Sequence, residues 1–261
     1  MNETLIVESD ARGVASVWLN RPEIHNAFDD ALIGDLTTTL KRLELDPKIR
    51  VVVLAGKGKS FCAGADLNWM KRMASYDERA NLRDAEALAE LMKTLDRLAK
   101  PTLARVHGAA YAGGCGLVAC CDIALAAEAA RFSISETRLG LIPSVIGPYV
   151  VRAIGTRQAR RYFLTAEAFD APSAERLGLV HGTFKADQLD YAVNQLCDLL
   201  VANGPKALGA CKELIGRVSH APIDEAMIAD TAGRIARLRV SPEGREGIAS
   251  FLEKRKPRWQ G

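Results

Sequence analysis

Ser60-Phe61-Cys62-Ala63-Gly64-Ala65-Asp66-Leu67 and Gly108-Ala109-Ala110-Tyr111-Ala112-Gly113-Gly114-Cys115-Gly116 are two glycine-flanked loops, each following an apolar run. The run before the first, Val51-Val52-Val53-Leu54-Ala55, is apolar throughout, as in a parallel strand covered on both faces. Pro101 to Val106 reads as the strand before the second. Two strands that end in small residues can present free backbone N–H groups to one point, the arrangement that holds a developing oxyanion. The pair points to an α/β fold and to carbonyl chemistry.

Outward from these loops, a helical stripe precedes each strand. Leu32, Leu36, Leu40 and Leu43 recur at three- and four-residue intervals on a helix that ends near Asp46-Pro47. Leu88, Leu91, Met92, Leu95 and Leu98 form the second stripe. Leu5 to Glu8 and Val14 to Leu19 read as a hairpin across Asp10-Ala11-Arg12-Gly13. Past the second loop, Gly113 to Cys121 is expected to be a helix whose amino end faces the loop, followed by a strand at Ile123 to Ala126 and a short run at Arg131 to Ile134. Gly155 is a stop with Thr156 as the next cap, Pro172 to Leu177 a short helix closed by Gly178, and Val180 to Phe184 a last strand. From Leu189 the pattern is helical, with starts expected at Pro205, Pro222 and Pro242. A boundary near residue 200 divides a core, 1–200, from a helical region, 201–261.

The chain has 261 residues, enough for a sizeable core, and is 48% hydrophobic and 26% charged. Its formal net charge is only +3 and its basic residues are scattered, so a small molecule is favoured over nucleic acid or a membrane surface. The start, Met1-Asn2-Glu3-Thr4-Leu5, carries no leader pattern, and no apolar run approaches the roughly 20 residues that span a bilayer. The cytoplasm is the expected compartment.

Six cysteines, with Cys120 and Cys121 adjacent, make no disulfide framework and read as reduced, buried thiols. A nucleophile built from Cys62, Cys115 and His107 lacks an activating third residue. His25, His107, His181 and His220 are isolated, so no metal is expected. Gly56-Lys57-Gly58-Lys59-Ser60 fails as a phosphate loop because Val53 stands where the first glycine is required. Tyr111, Tyr149, Leu141, Ile142, Val145 and Ile146 could line a pocket, with Trp69 and Met70 beside it, although core packing is the default explanation for such residues.

With both loops in hand, and with Ser135-Glu136-Thr137-Arg138-Leu139-Gly140, Leu141-Ile142-Pro143 and Asn20-Arg21-Pro22-Glu23-Ile24-His25-Asn26-Ala27, the chain resembles the enoyl-CoA hydratase/isomerase (crotonase) family end to end. Glu136 to Pro143 and Val145 to Val151 are similar in flavour to bacterial methylglutaconyl-CoA and carboxygeranoyl-CoA hydratases. The resemblance implies a core of repeated ββα units with a C-terminal helical region that packs as a homotrimer or homohexamer. It implies an acyl-CoA thioester as substrate, and with the isolated histidines and scattered charge the expectation is no cofactor, metal, nucleic acid or membrane partner. It places the N–H groups of Ala65 and Gly113 in an oxyanion hole. Ala63, Ala65, Asp66, Leu67 and Asn68 would border the CoA, and Lys254 would approach a CoA phosphate.

Hydrating an enoyl thioester needs a base to direct water at the β-carbon and an acid to protonate the α-carbon. The resemblance gives this work to two glutamates; Glu136 stands at the second position and Gly116 at the first. The expected activity is therefore an enoyl-CoA hydratase for a branched or carboxylated acyl chain, with Glu136 as acid/base. The alternatives are a Δ3,Δ2-enoyl-CoA isomerase using that one glutamate, and a non-catalytic acyl-CoA- or RNA-binding relative. The Gly116 space could admit water or a substrate branch, and Arg138 could meet a second substrate carboxylate.

Overall fold

The computed structural model describes residues 4–219 and 221–260, so residues 1–3, His220 and Gly261 lie outside the described residues. In chain order the elements are β1 (Leu5–Ser9), β2 (Val14–Leu19), α1 (Asp30–Leu45), β3 (Val51–Gly56), α2 (Leu67–Met73), α3 (Glu78–Arg97), β4 (Thr102–Val106), β5 (Ala109–Tyr111) and α4 (Gly113–Cys120). Then come β6 (Ile123–Ala127), β7 (Arg131–Ser133), α5 (Gly147–Thr165), β8 (Phe169–Asp170), α6 (Ala171–Leu177), β9 (Gly182–Phe184), α7 (Leu189–Val201), α8 (Pro205–Val218), α9 (Glu225–Val240) and α10 (Pro242–Leu252).

The strands form two sheets. The larger runs β1-β2-β3-β4-β6-β9 and is parallel except for the β1–β2 hairpin; the smaller runs β5-β7-β8, with β5 and β7 parallel. Successive units send one strand to each sheet: β4 joins the large sheet and β5 the small, then β6 the large and β7 the small. This is the repeated ββα core that the resemblance implies.

Strand alternation divides the core. Ala15, Val17, Leu19, Val52, Leu54, Ala104 and Val106 face one side with Leu32, Leu36, Leu40, Leu91 and Leu95 of α1 and α3. Val14, Val51, Val53, Leu103 and Leu125 face the other, against Leu189, Val193 and Cys197 of α7. Because β3 is covered on both faces, all six of its residues are buried. Asp29 caps α1 by accepting from Leu32 N–H at 2.8 Å, and each buried Leu or Ile on this helix contributes at most about 1.5–3 kcal/mol.

Several boundaries differ from the sequence reading. Helix α9 begins at Glu225, not at Pro222, because the Asp224 carboxylate accepts from Met227 N–H at 2.9 Å and supplies a better cap. The last strand starts at Gly182. Helix α2 is additional; its cap is Asp66, which accepts from Asn68 and Trp69 N–H. Gly155, at φ 74° and ψ 155°, interrupts the helical backbone inside α5 as expected of a stop. Cys211 is exposed while the other five cysteines are buried, a correction to the reading of all six as buried.

Candidate active site

The two loops meet through backbone pairing. Cys62 N–H donates to Ala109 O at 3.0 Å, and Tyr111 N–H donates to Cys62 O at 2.9 Å. The first loop is also sewn to the segment before α1: Phe28 N–H donates to Gly64 O and Asp66 N–H to Phe28 O, both at 2.7 Å. In a parallel bridge these bonds engage the residues on either side of Ala65, so the N–H of Ala65 itself faces away from Phe28. Gly64 holds φ 94°, a conformation that favours glycine, and this turns the chain so that Ala65 can present its amide.

At the second loop, Ala112 adopts φ 46° and ψ −117°, a sparsely populated conformation costing about 1–3 kcal/mol. It is held there by its N–H, which donates to Ser133 O at 2.8 Å, and by its carbonyl, which accepts from Cys115 and Gly116 N–H. The strained residue leaves Gly113 as the first residue of α4, where backbone N–H groups have no intrahelical acceptor. Among the described residues no hydrogen bond takes up the N–H of Ala65 or of Gly113.

The carboxylate comes from the neighbouring strand. Tyr111 of β5 and Ser133 of β7 are register partners, so the parallel pairing brings Gly113 and Glu136 out at the same end of the small sheet. Glu136 opens a single 3₁₀ turn, Glu136–Leu139, closed by Gly140 at φ 71°. Thr137 Oγ1 donates to Phe163 O at 2.9 Å and fixes this turn to α5. Glu136 Oε2 is buried with no hydrogen-bond partner among the described residues. Burial raises the Glu136 pKa above its ordinary value, against smaller lowering contributions from the backbone N–H groups of Glu136 and Ser135. A buried carboxylate without a cation partner is held ready to exchange a proton. Among the described residues no ion pair joins Glu136 to Arg138, which is exposed.

Ala63 and Ala65 are half-buried, Asp66 is buried, and Leu67 and Asn68 are exposed at the start of α2. Ala63 N–H is already used, donating to His25 O at 3.0 Å. Lys254 stands exposed at φ 53° past α10. The tail beyond it is tied to the start of β3, where Arg50 Nη1 donates to Trp259 O at 3.2 Å, so within one chain it docks at the end of the large sheet opposite the loops.

The space at Gly116 is not open. A β-carbon built there would lie 2.3 Å from Ile146 Cγ2 and 3.2 Å from Met92 Cε, both on buried side chains. The expectation of room for water or a substrate branch is therefore corrected: an apolar wall occupies it. Trp69 is core, with its Nε1–H donating to Asp84 at 3.1 Å. Tyr149 lines a cleft of about 490 Å³ between α3 and α5 with Asp96 and Arg152. Burial lifts the Cys62 thiol to about 12 and the Cys115 thiol further, which removes both as nucleophiles near neutral pH. No group of three His, Cys, Asp or Glu among the described residues could hold a metal.

Sequence reading misses Phe28, gives Arg21 no role beyond its motif, and names Ile146 only as a candidate pocket-lining residue. The Arg21 guanidinium donates to Ala27 O at 2.9 Å and pairs with Asp29 at 2.8 Å and Asp66 at 3.5 Å, joining the caps of α1 and α2. Only the Asn20–Ala27 motif, read as a family mark, signalled that this segment mattered.

Two free backbone donors and one half-buried carboxylate without a cation partner stand at the strand ends of a two-sheet α/β core, an arrangement suited to an enzyme that activates a carbonyl. The chain belongs to the enoyl-CoA hydratase/isomerase family, whose model matches residues 9–261. A crystal structure of an enoyl-CoA hydratase from Shewanella pealeana superposes with a TM-score of 0.96 at 45% identity, covering 98% of this chain and 96% of that one. Pseudomonas aeruginosa AtuE superposes with a TM-score of 0.94 at 36% identity, covering 99% of this chain and 100% of that one. The 2,3-dehydroadipyl-CoA hydratase of Escherichia coli K12 is 36% identical over 259 residues, 98% of each chain. Among the described residues no helix is long and apolar enough to cross a membrane.

Proposed function

We propose that the protein is an enoyl-CoA hydratase that adds water to an α,β-unsaturated acyl-CoA with a branched or carboxylated acyl chain of the methylglutaconyl type. The observation that supports the reading is that the Ala65 and Gly113 amides are unoccupied and that Glu136, at the same end of the small sheet as Gly113, has a buried Oε2 without a hydrogen-bond partner. Glu136 takes a proton from water as the water oxygen bonds to the β-carbon. The double-bond electrons move to the α-carbon and thioester, giving an enolate whose oxygen accepts from Ala65 and Gly113 N–H. Glu136 then returns that proton to the α-carbon, yielding the 3-hydroxyacyl thioester and regenerating the carboxylate. One carboxylate suffices because the proton it removes is the proton it delivers. No cofactor is needed beyond the thioester, and the cytoplasm is the expected place of action.

The acyl preference rests on similarity to a hydratase named for a dehydroadipyl thioester and on Arg138, an exposed guanidinium near Glu136 with no hydrogen-bond or ion-pair partner among the described residues. Arg138→Ala should raise KM for a carboxylated substrate far more than for crotonyl-CoA; equal changes on both would remove that role. Ala63 to Asn68 border the CoA in this reading, and Lys254 meets a CoA phosphate. The region 201–261 assembles copies into a trimer or hexamer through apolar side chains left exposed on α8, α9 and α10, including Ile215, Ile235 and Phe251.

A second reading, Δ3,Δ2-enoyl-CoA isomerisation, is favoured by the apolar wall at Gly116, since a proton shuttle between two carbons needs no water there. Incubation with crotonyl-CoA, methylglutaconyl-CoA and a 3-enoyl-CoA separates the two. A product heavier by one water supports the hydratase; unchanged mass with a migrated double bond establishes the isomerase; binding without turnover refutes both.

A further inference from the structure

We infer that Phe28 is the positioning residue that sets the separation of the two amide donors; the inference rests on the reading of Ala65 and Gly113 as an oxyanion hole. The residue touches both donor segments, in two different ways. Its backbone grips the first: Phe28 N–H donates to Gly64 O and Phe28 O accepts from Asp66 N–H, each at 2.7 Å, so the peptide carrying the Ala65 amide is fixed from both sides. Its ring abuts the second. A β-carbon on Gly113 would lie 2.6 Å from Phe28 Cε2 and 3.0 Å from Cδ2, so the ring edge rests against the α-carbon of the residue whose N–H is the other donor. A single rigid side chain, 2% exposed, thus spans from one amide to the next.

Rigidity comes from a two-χ aromatic side chain and from the arginine latch around it. Arg21 binds Ala27 O, Asp29 and Asp66, which are the residues flanking Phe28 and the residue following Ala65. Its guanidinium is planar and forked, so it holds these groups in fixed relation. The first loop can therefore not drift from the segment that carries Phe28, and the ring cannot drift from Gly113. Hydrogen-bond donors stabilise an enolate only when both lie about 2.7–3.1 Å from its oxygen, and a displacement of about 1 Å can cost about 100-fold in rate. Phe28 touches no reacting atom in this account; it acts through the two amides.

The test uses butyryl-CoA labelled with ¹³C at the thioester carbonyl, which binds without reacting, and reads the carbonyl stretch by difference infrared spectroscopy. Wild-type protein should lower the stretch relative to free ligand. Phe28→Leu keeps an apolar side chain and the backbone bonds but removes the ring edge; Phe28→Ala removes the spacer. The expected result is a carbonyl shift that shrinks from wild type to Leu to Ala, with kcat falling about 100-fold in Phe28→Ala and KM nearly unchanged. Circular dichroism selects folded variants, and Phe28→Leu carries the test if Phe28→Ala does not fold. A folded variant that keeps the wild-type shift overturns the role of Phe28. Loss of kcat with an unchanged shift overturns it as well. A wild-type protein that leaves the stretch unmoved overturns the oxyanion reading itself, whichever of hydration or isomerisation the enzyme catalyses.

Discussion

Helix α4, which opens at the candidate site, and helix α8, which opens the C-terminal region, are built on opposite rules. Six of the eight residues of α4 are buried, and its first turn approaches Phe28, Cys62 and Ile146 so closely that glycines stand at three of its first four positions. Not one of the fourteen residues of α8 is buried. In α9 and α10 burial is confined to Met227 and Ser250, while Ile228, Ile235, Ile248, Phe251 and Leu252 are exposed. The difference teaches where each region finds its stability. The site is over-determined within one chain, which lets Ala112 keep a strained backbone and half-buried Glu136 do without a cation. The C-terminal helices leave apolar surface exposed, the surface that the proposed assembly of copies uses.

The sharpest way to break this contrast is Glu136→Gln. It should lower turnover by about 10²–10⁴-fold while acyl-CoA affinity, measured by calorimetry, stays near wild type. Substantial residual turnover would place the base elsewhere. Gly113→Ala comes next: its β-carbon would meet the Phe28 ring at 2.6 Å, and moving or losing one amide donor should cost about 10²–10³ in kcat. A wild-type kcat in that variant would mean the site is more forgiving than α4 suggests.

Gly116→Glu should destabilise by about 1–3 kcal/mol in a denaturant titration, because Ile146 and Met92 fill the space. Ile146→Ala in the same chain should recover much of that loss, whereas equal stability of the single and double variants would remove the wall. Phe251→Asp with Leu252→Asp belongs to the other side of the comparison. Light scattering should report a smaller assembly with the core still folded, and an unchanged mass would mean these side chains are not at the contact.

The smallest effect is a pH dependence of stability. The Glu136 pKa is raised in the folded state, so its contribution is full below the ordinary value of 4.5 and is lost as pH rises through the raised folded value. Glu136→Gln should therefore have a higher Tm than wild type near neutral pH, and the difference should vanish below about pH 4.5. A constant difference across that range would contradict the cause given for the shift.

The ladder of strands and helices was legible because β3 is apolar without interruption and α1 and α3 carry clean helical stripes. The loops are legible through their glycines, and the motif marks Glu136 as the candidate whose carboxylate the structure leaves without a cation partner. Helix α2 was less so: Leu67–Met73 is short, and its one local signal, the Asp66 cap, lies inside a loop already read for another purpose. The start of α9 follows the Asp224 cap rather than Pro222, and the proline pattern alone does not carry that signal. Arg21, Phe28 and Ile146 act across large sequence separations, Arg21 reaching Asp66 and Phe28 reaching Gly113, and no periodicity or local propensity encodes such contacts. Gly116 shows the same limit from the other side. A glycine reads as vacant space, and only the packed structure reveals the isoleucine that fills it.

The most direct test of the account is a crystal structure with a saturated acyl-CoA bound. The thioester oxygen should accept from both Ala65 N–H and Gly113 N–H at about 2.7–3.1 Å, with the Glu136 carboxylate facing the α- and β-carbons. A thioester oxygen seated away from either amide, or an acyl chain that leaves Glu136 facing solvent, would contradict it.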